Sequence, residues 1–170
     1  MTKYLRIFVW SVDTLNTRIA HSIKFLVFAL LGVLLHECFM RNLFNRPGVW
    51  VLELTIFIVA GYFILGGAYS ILSGAQVRMD VFYSRWSPRK KAIVDVITFA
   101  TFPIYFCVLI WTGLWHVRWS YVWNEVSNTA WAPIQWPIKA VVTVGFFLIL
   151  LQSISIFIKD LYTARGRSLE

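Results

Sequence analysis

The sequence predicts an all-α membrane protein of four transmembrane helices with both termini cytoplasmic, and three observations carry that prediction. Of 170 residues, 59% are hydrophobic and 14% charged, with a mean hydropathy of +0.68; soluble domains are only about 45–50% apolar. Four runs, residues 19–40, 50–73, 92–115 and 134–158, reach the about 20 apolar residues that cross a hydrocarbon core of about 30 Å. Basic residues also segregate between the segments joining these runs. Lys3, Arg6, Arg18 and Lys24, then Arg78, Arg85, Arg89, Lys90 and Lys91, then Lys159, Arg165 and Arg167 fall on one side. Only Arg41, Arg46, Arg118 and Lys139 fall on the other. Because Lys and Arg are retained on the cytoplasmic face during insertion, the richer side is inside. The formal charge of +8 reflects that retention and not nucleic-acid binding, for the basic residues form no continuous stripe.

Before the first span, Tyr4, Phe8, Val12, Leu15 and Ile19 recur at spacings of four and three. This predicts an N-terminal amphipathic helix lying in the inner headgroup plane. The segment lacks a short apolar core followed by a small-residue cleavage site, so the first span is expected to be retained. That span is interrupted at its start by His21 and Lys24, but its core, FLVFALLGVLL, is uniformly apolar.

The second span carries Glu53 three residues from its outer end, where Arg41 and Arg46 also lie. An ion pair is the expectation there, since a charge in a membrane helix needs a partner. Its later half, AGYFILGGAYSILSG, repeats Ala60, Gly67 and Gly74 every seven residues, with Gly66, Ser70 and Ser73 beside them. Small residues let another helix approach closely where lipid removes the hydrophobic drive. The spacing leaves open whether that helix is internal or belongs to a second chain.

Between the second and third spans, Met79, Phe82, Tyr83 and Trp86 fall at i, i+3, i+4 and i+7, predicting a short cytoplasmic interfacial helix. Ser87 is placed to cap the next helix and Pro88 to take its first position. Arg78 and Asp80 are two apart and do not face each other on a helix, so at least one is expected to pair elsewhere. Asp95 sits four residues after Lys91, on the same helix face. The outer end of the third span repeats Trp111, Trp115, Trp119 and Trp123 every four residues. Tryptophan favours the headgroup zone and protein interfaces alike, so the stripe is a candidate outer docking face.

The middle of the membrane holds no carboxylate, Lys or Arg, only weakly polar residues such as Thr98, Thr101, Thr143 and Gln152. An ion-coupled carrier places its substrate and ion groups there, often on broken helices. Pro103 and Gly145 could bend their spans, but such residues are common in ordinary ones. Cys38 and Cys107, in different spans, suggest packing and no zinc site or disulfide.

Residues 41–97, RNLFNRPGVWVLELTIFIVAGYFILGGAYSILSGAQVRMDVFYSRWSPRKKAIVDVI, resemble the small permease subunit of the tripartite ATP-independent periplasmic (TRAP) transporters. The family pattern is met by Arg41, Phe44, Asn45, Pro47, Trp50, Glu53, Gly66, Gly67, Ala68, Tyr69, Val77, Arg78, Asp80, Pro88, Arg89 and Ala92. Two features depart from it. Gln76 stands where many members have His, and the stretch before the last span is richer in Trp.

The resemblance implies a subunit of the bacterial inner membrane that is not an enzyme and needs no cofactor or metal. A large permease subunit, its stable partner, would hold the substrate and sodium sites and move as an elevator. A periplasmic substrate-binding protein would deliver an organic acid. The small subunit, bathed in membrane lipid, would be the fixed scaffold, with Arg41, Glu53, Gly66, Gly67, Arg78, Asp80, Trp86, Pro88 and Asp95 as structural or interface residues.

Two other functions compete on the residues alone. His36 and His116 lie near the outer surface, as two axial ligands of a membrane haem would. Alternatively, Glu37 or Glu53 would serve as the proton-coupled group of a small homo-oligomeric exporter.

Overall fold

The computed structural model describes residues 2–75 and 88–164, with side chains at 4–75 and 101–159. The expected interfacial helix of Met79, Phe82, Tyr83 and Trp86 lies outside the described residues, as do Arg78, Asp80 and Ser87. So do the side chains of Lys91 and Asp95.

Five helices follow one another: α1 (Thr2–Ile23), α2 (Leu26–Phe44), α3 (Val51–Leu72), α4 (Pro88–Val122) and α5 (Trp136–Ala164). Among the described residues, Tyr4–Phe44, Val51–Leu72 and Trp136–Lys159 contain stretches long and apolar enough to cross a membrane. Pro88 is the first residue of α4, where its fixed φ suits a helix start and its missing N–H costs nothing. The helix runs on through Pro103 for 35 residues, about 52 Å at 1.5 Å per residue.

The first helical boundary falls later than the hydropathy suggests. The α-helical ladder breaks at Lys24 and Phe25, not ahead of Ile19. There Phe25 N–H bonds to the Ser22 carbonyl, and Val27 N–H to that of Lys24, both i to i−3. This tightened turn is an elbow between α1 and α2. Helix α2 therefore starts at Leu26, and residues 19–23 belong to α1.

Helices α2 to α5 form a row, with α2 against α3, α3 against α5 and α5 against α4, while α1 packs across α3 and α5. Two glycines on α5's neighbours and on α5 itself set the spacing. A Cβ on Gly145 would lie 2.1 Å from Ile64 Cγ2 and 3.3 Å from the Ile64 backbone carbon. On Gly113 of α4 it would lie 2.6 Å from Thr143 Oγ1. The sequence offered Gly145 as a bend; here it is a contact point that draws α3 onto α5. Ala68, Phe106, Leu148 and Ile149 form the small buried core along this seam. Large apolar side chains such as Phe28, Leu35, Phe63, Ile104 and Val108 are exposed on the outside, as a lipid-facing surface requires. Cys38 and Cys107 are free and exposed as well, so they are not the packing residues expected.

The amphipathic N-terminal helix is present, but with a different buried face. Val9, Val12, Asn16 and Ile23 are buried, whereas Tyr4 is 80% and Leu15 45% exposed. The apolar stripe read from the sequence mixes a face that packs on protein with one that does not. Asn16, a polar residue, belongs to the packed face.

Candidate functional site

At one end of the bundle, the chain turns out of α2 through Asn45, whose left-handed conformation (φ 51°) ends the helix while Arg46 N–H bonds back to Met40 O. Asn tolerates that conformation better than most residues, and Pro47 cannot continue a helix. Glu37 on α2 then accepts the Gly48 N–H at Oε2, 3.0 Å away. A side chain at Gly48 would meet Val51 Cγ2 at 2.8 Å and Glu37 Oε2 at 3.2 Å, so glycine lets the turn close onto its carboxylate.

Between α4 and α5, residues 123–135 fold into a small hairpin. Gln135 N–H bonds to Glu125 O, Ser127 N–H bonds to Pro133 O, and Val126 bridges Ile134 antiparallel. Asn124 (φ 45°) and Ala132 (φ 46°) supply its left-handed turns. Lys139 Nζ, on the first turn of α5, lies 2.5 Å from Glu125 Oε2. The Lys139 ammonium beside it holds the Glu125 carboxyl below its ordinary 4.5.

This hairpin closes over Glu53. The Ser127 hydroxyl donates to Glu53 Oε1 at 2.5 Å, and the Thr129 hydroxyl donates to the same oxygen. Glu53 is 7% exposed, and Oε2 has no partner among the described residues. The expected ion pair with Arg41 or Arg46 is not formed: both arginines are exposed. Two hydroxyls replace them, because the hairpin and not the α2–α3 turn covers the carboxylate. Hydrogen bonds to a charged group contribute about 1.5–3 kcal/mol each.

Along the last turns of α4 the tryptophan stripe forms a ladder. Trp115 and Trp119 stack with centroids 5.5 Å apart and planes 17° apart, and Trp119 meets Trp123 at 5.4 Å. Trp111 is 76% exposed, and the other three are exposed too. The ladder orders its own rings without burying them in the bundle.

At the other end, α1 is fastened to α5 by polar groups. Asn16 Nδ2 donates to Gln152 Oε1 at 2.6 Å, and both residues are buried. Gln152 Nε2 and the Ser155 hydroxyl donate to Asp13 Oδ1 at 2.9 and 3.1 Å. Lys159 Nζ pairs with Asp13 Oδ2 at 2.5 Å. Sequence reasoning placed Asp13 only off the apolar face of the N-terminal helix, and passed over Asn16, Ser127 and Thr129. The first two had a legible signal: a polar pair at i, i+3 on α1 has a counterpart in Gln152, Ser155 and Lys159 at i, i+3, i+7 on α5.

Within the small-residue run, Gly67 and Ala68 face inward. A Cβ on Gly67 would touch Ile149 Cδ1 at 3.1 Å, and Ala68 is fully buried. Gly66 faces open space. His36 and His116 stand on α2 and α4, at opposite ends of the row, which share no extended contact. His36 packs instead on Trp50 and His116 on Trp115. Facing helices, the premise of a shared haem, are therefore lacking. Among the described residues no group of three or more His, Cys, Asp or Glu could hold a metal ion.

Apolar helices set at glycine contacts, with polar groups spent on joining one element to the next, define a multi-pass membrane protein. The family of tripartite ATP-independent periplasmic transporters, DctQ component, matches residues 30–163. The chain belongs to that family, and is thus a TRAP transporter small permease subunit, a transport component. Among curated proteins, nothing matches it.

Proposed function

We propose that the chain is the scaffold against which a large elevator-type permease subunit moves during sodium-coupled uptake of an organic acid. One observation carries the reading. Every carboxylate whose side chain is described, Asp13, Glu37, Glu53 and Glu125, ties one element of this chain to another. Groups committed to structure suit a rigid support, and coupling chemistry then belongs to the partner. The same use of Glu37 and Glu53 argues against a proton-coupled exporter built from this subunit alone.

In this reading α2, α3, α4 and α5 all cross the bilayer, and both termini lie inside, as the distribution of Lys and Arg requires. The exposed lipid-side faces of the row offer the permease its contact. The Trp111–Trp123 ladder offers an outer surface to the periplasmic binding protein, tryptophan being enriched where interfaces concentrate their energy. Arg78, Asp80, Trp86 and Asp95 belong to the inner side of this support.

The test is uptake into proteoliposomes containing the large permease with and without this chain, supplied with binding protein and a sodium gradient. Uptake and a stable permease only when both are present support the scaffold. Full uptake by the permease alone, or by this chain alone, overturns it.

A further inference from the structure

Between the α1–α2 elbow and the later half of α3 lies an open groove of about 560 Å³. Tyr62, Phe63 and Gly66 line its length, and His21 and Lys24 stand at its elbow end. A Cβ on Gly66 would meet nothing within 4 Å, so glycine leaves the floor of the groove free. Helix α2 has 19 residues and spans about 28 Å, which matches the hydrocarbon core and puts Lys24, just before it, at headgroup depth. Arg18, His21 and Lys24 recur every three residues and are all exposed. Among the described residues neither Arg18 nor Lys24 joins an ion pair; the Lys24 ammonium rests over the ring of Phe25, 5.3 Å from its centroid.

We propose that this groove is a binding site for one anionic phospholipid, its phosphate against Lys24 and His21 and an acyl chain lying along Gly66 between Tyr62 and Phe63. The charge decides the occupant. A basic pocket between membrane helices at headgroup depth attracts anionic lipid, whereas a protein helix seated there would have to bring a carboxylate to the same level. The site requires only that the bundle sit in a bilayer, so it stands or falls separately from the scaffold role.

Native mass spectrometry of the full chain in detergent, titrated with phosphatidylglycerol or phosphatidylethanolamine, reads the site. Phosphatidylglycerol is expected to bind about fivefold more tightly, the effect of about one cation near a headgroup. Lys24→Gln removes that preference. Gly66→Leu, which fills the floor, removes the adduct of either lipid while circular dichroism stays that of the native chain. Arg41→Gln, a cation at the other end of α2, leaves binding unchanged.

Equal affinity for the two lipids, or an undiminished preference in Lys24→Gln, would overturn the proposal. So would a lipid adduct that survives Gly66→Leu while a co-purifying permease is lost, since the groove would then belong to a protein helix. Equal loss in Arg41→Gln would reduce the effect to general charge and sink it too.

Discussion

Asp13 and Lys159 are 146 positions apart in the chain and meet at 2.5 Å. Gln152 and Ser155, on the same helix as Lys159, donate to the other oxygen of the Asp13 carboxylate. An amphipathic helix of 22 residues has apolar area enough to lie on a membrane. This contact, joined by buried Asn16 and Gln152, gives it one address on the bundle.

Asp13→Ala removes the carboxylate that Lys159, Gln152 and Ser155 share. Loss of a buried pair partner costs about 3–5 kcal/mol, and partial exposure of this one (36% for Lys159 and 22% for Asp13) brings the expectation to about 1–2 kcal/mol. Thermal unfolding in detergent should show that loss. The double change Asp13→Ala, Lys159→Met should recover part of it, because the ammonium that faced the carboxylate is removed with it. An Asp13→Ala protein as stable as the native one would contradict the fastening role.

Removing both hydroxyls above Glu53, with Ser127→Ala and Thr129→Val, leaves a buried carboxylate without its donors. Each lost partner of a buried polar group costs about 1–3 kcal/mol. Hydrogen exchange across residues 125–135 should accelerate in the double variant and much less in Arg41→Gln or Arg46→Gln. Equal acceleration in an arginine variant would restore the ion pair expected from sequence.

Acid should open the same hairpin from its base. Glu125 has a folded-state pKa below its ordinary 4.5 because Lys139 favours the charged form. Its contribution is therefore complete above about 4.5 and is lost as pH falls through the lower folded value. Exchange in residues 125–135, corrected for intrinsic rates, should rise over that acid range in the native chain. In Lys139→Gln it should already be raised at neutral pH and change little with acid. Identical profiles would contradict the pairing.

Gly145→Ala drives a methyl into Ile64, and overpacking of this kind costs about 1–3 kcal/mol. Gly66→Ala meets nothing within 4 Å and should leave stability unchanged or raise it by less than about 1 kcal/mol through helix propensity. Adding Ile64→Ala should recover part of the Gly145→Ala loss. Thermal melting of the four proteins checks the order; a Gly66→Ala protein less stable than Gly145→Ala would reverse it.

Trp115→Ala with Trp119→Ala removes two exposed, mutually stacked rings. Aromatic pairs contribute about 0.5–1.5 kcal/mol, so the melting temperature should shift little. If the ladder is the outer docking face, binding of the periplasmic protein should weaken by about 30-fold or more, the mark of a hot spot of about 2 kcal/mol. Unchanged binding by surface plasmon resonance would remove that role.

Hydropathy made the helices of this chain legible, and charge made its orientation arguable. Glu53 was legible as a carboxylate needing a partner, because burial cost follows from residue type and depth. Its partners were not, because Ser127 and Thr129 reach it only through a hairpin that turns at left-handed Asn124 and Ala132, and alanine carries no turn signature. The small residues of α3 were legible as a packing surface. Whether each faced a neighbour or open space depended on the rotation of α3 against α5, which a repeat of seven does not set. At α1 an apolar stripe drew attention away from Asp13 and Asn16, the polar residues that fix the helix.

The fastening of α1 has a consequence for synthesis. Translation makes Asp13 and Asn16 first, while Gln152, Ser155 and Lys159 emerge with the last helix. Until α5 emerges, α1 can pack only against α2 and α3, and Asp13 and Asn16 lack their polar partners on α5. The first helix made is thus the last to complete its polar contacts: a chain truncated before residue 150 would keep the packing of α1 on α3 but leave Asp13 and Asn16 without Gln152, Ser155 and Lys159.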